Sequence, residues 1–102
     1  MYRVYECELA KKAEITRILE ADPYAEDSFA RSGYKIKDGG VLGEDKTKFY
    51  VYMAASVEFI KKADDKLKEV AKPAPAEVEK RIIEKVLKEE EEAESGFGSL
   101  FG

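Results

Sequence analysis

Histidine, asparagine, glutamine and tryptophan are all missing from this chain of 102 residues. Without histidine, the usual general base near neutral pH is gone, and neither a Ser–His nor a Cys–His pair can form. No paired-carboxylate motif stands out from the solvated charge, so the chain reads as a non-enzyme. Absence of the thermolabile amides, together with abundant Glu and Lys, is the composition of hyperthermophile proteins. Cysteine is limited to Cys7. That excludes an internal disulfide and leaves a zinc site without ligands, and the expectation is a buried thiol on a strand. No metal and no cofactor are implied. No apolar run approaches the roughly 18 residues needed to span a bilayer. The first residues also lack the basic-then-apolar pattern of a secretory signal, so a cytoplasmic location is expected.

Charge is plentiful but uneven. The net charge is −4. Residues 1–72 carry 14 acidic and 14 basic side chains, residues 73–88 carry three and four, and residues 89–102 carry five glutamates and no base. The acidity lives in the C-terminal segment. Bulk attraction to nucleic acid is not what this profile provides.

Hydrophobic periodicity divides the chain. Residues 2–9 alternate, with Tyr2 and Val4 on one face and Tyr5, Cys7 and Leu9 on the other, and read as a strand. Residues 11–21 change to a helical period through Ile15, Ile18 and Leu19. Asp22-Pro23 reads as a helix cap and first turn. The short helix it starts would run to Arg31, bury Ala25 and Phe29, and end at Gly33. A second strand covers residues 34–37, Asp38-Gly39-Gly40 is a turn signal, and residues 41–43 form a short edge piece. Residues 48–55 are the clearest strand, with Phe49, Val51 and Met53 opposite Tyr50 and Tyr52. Ser56 caps a helix over residues 57–71 with the stripe Val57, Ile60, Ala63, Leu67 and Val70.

Two prolines then define a stiff linker at residues 73–76. An amphipathic arm follows over residues 77–94, with apolar Val78, Ile82, Ile83, Val86 and Leu87. Glu77 with Arg81, and Glu84 with Lys88, are i,i+4 pairs. The arm needs a surface, and the domain itself, a second copy or another macromolecule would each serve. The expected class is α+β: a small antiparallel sheet in the order β-α-α-β-β-α with its helices on one face, then linker, helix and acidic tail. A homodimer is compatible with so small a core.

Two constellations are candidates for binding. Tyr50 and Tyr52 with Lys35 and Lys37 would form a sheet face suited to stacking RNA bases, with Arg31, Lys46 and Lys48 as phosphate contacts. Ordinary cross-strand packing, or cover by the last helix, accounts for the same residues and is the favoured reading. The second constellation is the tail at residues 95–102, where Phe97, Leu100 and Phe101 fall at i, i+3 and i+4 after the glutamate run. Gly96 and Gly98 supply its flexibility. Apolar anchors of this spacing suit a groove on a partner.

The segment 89–102 resembles the C-terminal tail of the archaeal acidic ribosomal stalk proteins. Those tails also pass from a glutamate-rich stretch into a glycine-spaced apolar end closing in Leu-Phe-Gly. The resemblance covers about one-seventh of the chain and implies an archaeal source. It implies that Phe97, Leu100 and Phe101 are anchors for translational GTPases and the ribosome-recycling ATPase, with Gly96 and Gly98 as joints. Residues 1–72 depart from that family, which begins with a helical dimerisation domain rather than with strands. The expected role is a non-catalytic, ribosome-associated translation regulator, such as a dormancy or subunit-dimerising factor. The alternatives are a small RNA-binding module with an rRNA contact and a purely structural homodimer.

Overall fold

In a computed structural model the described residues are 1–21, 24, 28–29 and 33–91, together with the backbone of the last helix to residue 101. The elements are β1 (Tyr2–Glu8), a 3-10 turn (Leu9–Lys11), α1 (Lys12–Glu20), β2 (Tyr34–Asp38), α2 (Gly39–Leu42), β3 (Lys48–Ala54), α3 (Val57–Leu67), β4 (Lys72–Pro73) and α4 (Ala76–Phe101). The strands form one antiparallel sheet in the order β2-β3-β1-β4. The class is α+β, as the periodicity predicts.

This order interleaves two split β-α-β units. β1 and β2 run parallel with β3 between them, and β3 and β4 run parallel with β1 between them. A half-turn about the sheet normal exchanges the two units. Crossovers of one hand therefore place α1 and α3 on the same face. There Ile15 and Leu19 of α1 and Ile60, Ala63 and Leu67 of α3 bury Tyr5, Cys7, Phe49, Val51 and Met53. Phe29 joins them, and Gly33 has the left-handed φ of 85° expected where a helix ends. The rest of the helix expected there, including Asp22, Pro23, Ala25 and Arg31, lies outside the described residues.

Several local expectations change in the fold. Residues 39–42 form a single helical turn rather than a turn and edge piece. The chain comes so close to itself there that a Cβ on Gly39 would overlap the Asp45 carbonyl. α3 starts at the Ser56 cap, whose hydroxyl accepts from Phe59 N at 3.2 Å. It ends at Leu67 because the Leu67 carbonyl accepts from both Val70 and Ala71 in a closing turn. Val57, placed on the buried stripe by its spacing, is exposed at the first position of α3. The proline segment is not a free linker. Lys72 and Pro73 pair with Glu6 and Tyr5 as an edge strand, and Ala74 N donates to Val4 O at 2.9 Å. An edge strand tolerates proline because its outward positions need no N–H.

The second face of the sheet is covered as well. The sequence left the surface for the arm open between the domain itself, a second copy and another macromolecule, and α4 lies on the domain itself, over the face opposite α1 and α3. Ile82 and Val86 are completely buried against Val4, Leu42, Tyr50, Tyr52 and Ala74, with Val78 and Ile83 partly buried beside them. The apolar stripe of the arm is thus used within the chain. Burying two such side chains is worth roughly 3–6 kcal/mol. That is a large share of the roughly 5–15 kcal/mol that holds a typical domain folded. The helical backbone also runs past residue 94, to Phe101. Glu and Ala sustain a helix, and no proline follows Pro75.

Ile82→Ala is expected to destabilise the protein by about 2–5 kcal/mol in urea unfolding. Val57→Ala should change stability by less than about 0.5 kcal/mol. Equal effects would show that α4 is not part of the folded core.

Candidate functional site

The path of α4 decides what the sheet can offer. Near its start, the Glu79 carboxylate accepts from Val4 N at 3.4 Å. Two residues on, Arg81 donates twice to Glu44, at 2.9 and 2.8 Å, and Lys85 lies 4.0 Å from the same carboxylate. The Lys85 ammonium also donates to the Leu42 carbonyl, tying α4 to α2. Arg81 therefore reaches across to the loop before β3, where the sequence had paired it with Glu77. The Arg81 hydrogen bonds hold the Glu44 carboxyl below the usual carboxylate range, against a weaker opposing effect of desolvation.

Farther along, α4 passes over β2. Glu89 pairs with Lys37 at 3.1 Å and Glu90 with Lys35 at 2.8 Å. The start of the acidic run thus lies on the two lysines that the sequence pattern nominated for RNA. Both pairs are substantially exposed, so each contributes little and weakens with salt. Among the described residues, the last fully buried side chain of the helix is Val86, and Leu87 is already 39% exposed.

The other nominated residues fall into separate places. Tyr50 and Tyr52 are 2% and 6% exposed, because α4 lies over them. The open aromatic face expected as one alternative is replaced by a covered one. The Tyr50 hydroxyl is pushed up to about 12 by burial and by the Glu6 carboxylate, to which it donates at 3.4 Å. Lys48 is bound to Glu6 at 2.8 Å, and Lys72 lies 3.5 Å from the same carboxylate. Burial raises the Glu6 pKa, but the hydrogen bonds and charge of these two lysines outweigh it and leave it lowered. Lys46 is exposed in the loop before β3. Arg31 lies outside the described residues, as do the side chains of Gly96, Phe97, Gly98, Leu100 and Phe101.

On the opposite face, the Tyr5 hydroxyl donates to Asp64 at 2.6 Å and Arg3 pairs with the same carboxylate at 3.2 Å, tying β1 to α3. Cys7 is buried as expected, and burial followed by the nearby Glu6 charge pushes its thiol up to about 12. Such a thiol is a poor nucleophile.

One open feature remains beside α4. A groove of about 350 Å³ is lined by Tyr2, Tyr34, Lys35, Tyr52, Leu87 and Glu90, among others. The Tyr2 and Tyr52 rings stack with centroids 5.9 Å apart and planes 26° from parallel. Sequence reasoning missed Tyr2, Tyr34 and Glu90 as lining of one groove, Glu89 as the partner of Lys37, and Glu44 as the partner of Arg81. Only the positive–negative match of β2 to residues 89–90 was available as a signal, and nothing local linked those segments.

No helix of the described residues is long and apolar enough to cross a membrane.

Glu44→Gln should lower the melting temperature by a few degrees at pH 7. A carboxyl with a lowered folded pKa stabilises the fold above its unfolded pKa. That contribution disappears as the pH falls through the folded value. The gap between wild type and variant should therefore close below about pH 4; a gap independent of pH would mean that the ion pair is not its source. No protein-family model, curated protein or solved structure matches this chain.

Proposed function

We propose that this chain is a non-catalytic, ribosome-associated regulator of translation from an archaeon, acting in the cytoplasm. Its α+β domain binds the ribosome or a subunit. Its C-terminal peptide engages translational GTPases or the ribosome-recycling ATPase, or competes for their groove. A dormancy or subunit-dimerising role fits an accessory chain of this size.

The observation that carries the reading is the stalk-like sequence at the end of a helix whose fully buried side chains, among the described residues, lie in its first half. Ile82 and Val86 fix α4 to the sheet. From Leu87 the helical backbone runs fifteen more residues to Phe101, a length of about 22 Å at 1.5 Å per residue. The anchors Phe97, Leu100 and Phe101 belong to this distal part of the helix. Glutamates before them keep the segment solvated and suit a partner groove with a basic rim. The apolar stripe of the arm is already buried within the chain, so a homodimer would need a different surface.

Co-sedimentation in archaeal lysate tests the proposal, with the full chain compared to a chain ending at Ala93. The full chain should migrate with ribosomal particles, and purified translational GTPases should be retained by it but not by the truncated chain or by Phe101→Ser. If the full chain stays at the top of the gradient and retains no factor, the proposal is wrong.

A further inference from the structure

We propose that the groove beside the distal part of α4 binds single-stranded RNA. Tyr2, backed by the buried Tyr52 ring, provides the stacking platform and Lys35 and Lys37 the phosphate contacts. Glu89 and Glu90 hold those lysines until RNA displaces them. This site is separate from the tail and does not rest on its stalk-like reading.

Charge is the first argument. Strand register puts Lys35, Lys37, Lys48 and Lys72 on the α4 side of the sheet with two carboxylates, Glu6 and Glu8. The strands alone thus contribute an excess of base on this face, and Glu89 and Glu90 of α4 neutralise it. Glu6 already neutralises part of the Lys48 and Lys72 end. At the β2 end, the partners of Lys35 and Lys37 come from α4. These two lysines are two positions apart on one strand, about 6.7 Å at the usual rise. Successive phosphates of an extended single strand have a comparable spacing.

The aromatic geometry is the second argument. Tyr2 is 44% exposed and stacked on Tyr52, so a flat ring surface opens into the groove with Lys35 at its side. Base stacking on such rings, with cations beside them, is the sequence-tolerant mode of single-strand recognition. An apolar peptide anchor would use the rings but would have no need of the lysine pair.

The third argument is that opening is local. Among the described residues past Val86, partly exposed Leu87 and two exposed ion pairs face the domain. Lifting this turn leaves Ile82 and Val86 in place over Tyr50 and Tyr52. The carboxylates then act as occupants of the phosphate positions, and RNA must compete with them.

The test is fluorescence anisotropy with a labelled oligouridine of about twelve nucleotides and the full-length protein. Glu89→Gln/Glu90→Gln should bind about tenfold more tightly than wild type. Two phosphate contacts give log K against log salt a slope of about −1.4. Adding Lys35→Gln/Lys37→Gln should remove the gain and flatten that slope. Tyr2→Ala, at an exposed site, should weaken binding about tenfold. Glu14→Gln/Glu58→Gln makes the same charge change on α1 and α3, across the sheet, and should leave affinity unchanged. The proposal is overturned if that control gains as much as Glu89→Gln/Glu90→Gln. It is also overturned if the latter binds no RNA, if it binds duplex RNA equally well, or if the lysine and tyrosine variants bind like their parents. Phe101→Ser should retain RNA binding, so failure of the tail reading and failure of this one are distinguishable.

Discussion

β3 is buried on both sides, and that single constraint organises the molecule. Phe49, Val51 and Met53 point to α1 and α3, while Tyr50 and Tyr52 point to α4. A strand with large apolar side chains on both faces cannot sit in a two-layer fold with one face in water. It needs a third layer, and the chain supplies it from its own C-terminal helix. The central position of β3, between β2 and β1, follows from the same demand.

The third layer explains the distribution of charge at its edges. Once Ile82 and Val86 cover the tyrosines, α4 must be fixed in rotation. The contacts that do so flank the apolar stripe: Glu44 with Arg81 and Lys85 near the middle, and Lys37 and Lys35 with Glu89 and Glu90 farther on. The two sets differ in kind. The Glu44 carboxylate is largely sheltered and bound by the two parallel bonds of a guanidinium, a geometry that holds direction as well as charge. The lysine pairs are exposed single contacts, suited to exchange. One end of α4 is therefore locked and the other is poised against competing anions.

That asymmetry gives the two functional proposals a common physical basis. The segment that leaves the sheet carries both the carboxylates that cover Lys35 and Lys37 and the backbone that leads to the apolar tail. As proposed, binding at the groove and binding at the tail would draw on the same distal half of α4 and leave Ile82 and Val86 buried.

Much of the fold was legible in local pattern. Alternation marked β1 and β3 and assigned their faces, Ser56 marked the start of α3, and the i, i+3, i+7 spacing of Ile60, Ala63 and Leu67 marked its buried stripe. Composition excluded histidine chemistry and a disulfide, and the C-terminal residues carried their resemblance without help from structure. β4 was not legible, because two residues have no period and Pro73 argues against a strand unless an edge position is known. Nor was the destination of α4. Its stripe determined that Ile82 and Val86 would be buried, but an apolar stripe is indifferent to whether its partner surface is in the same chain. Tertiary structure decided that, because only the sheet order brings Val4, Tyr50 and Tyr52 into one surface, and only then do Glu44, Lys35 and Lys37 stand where the charges of α4 arrive. Sequence fixes what each segment must bury; long-range pairing fixes against what.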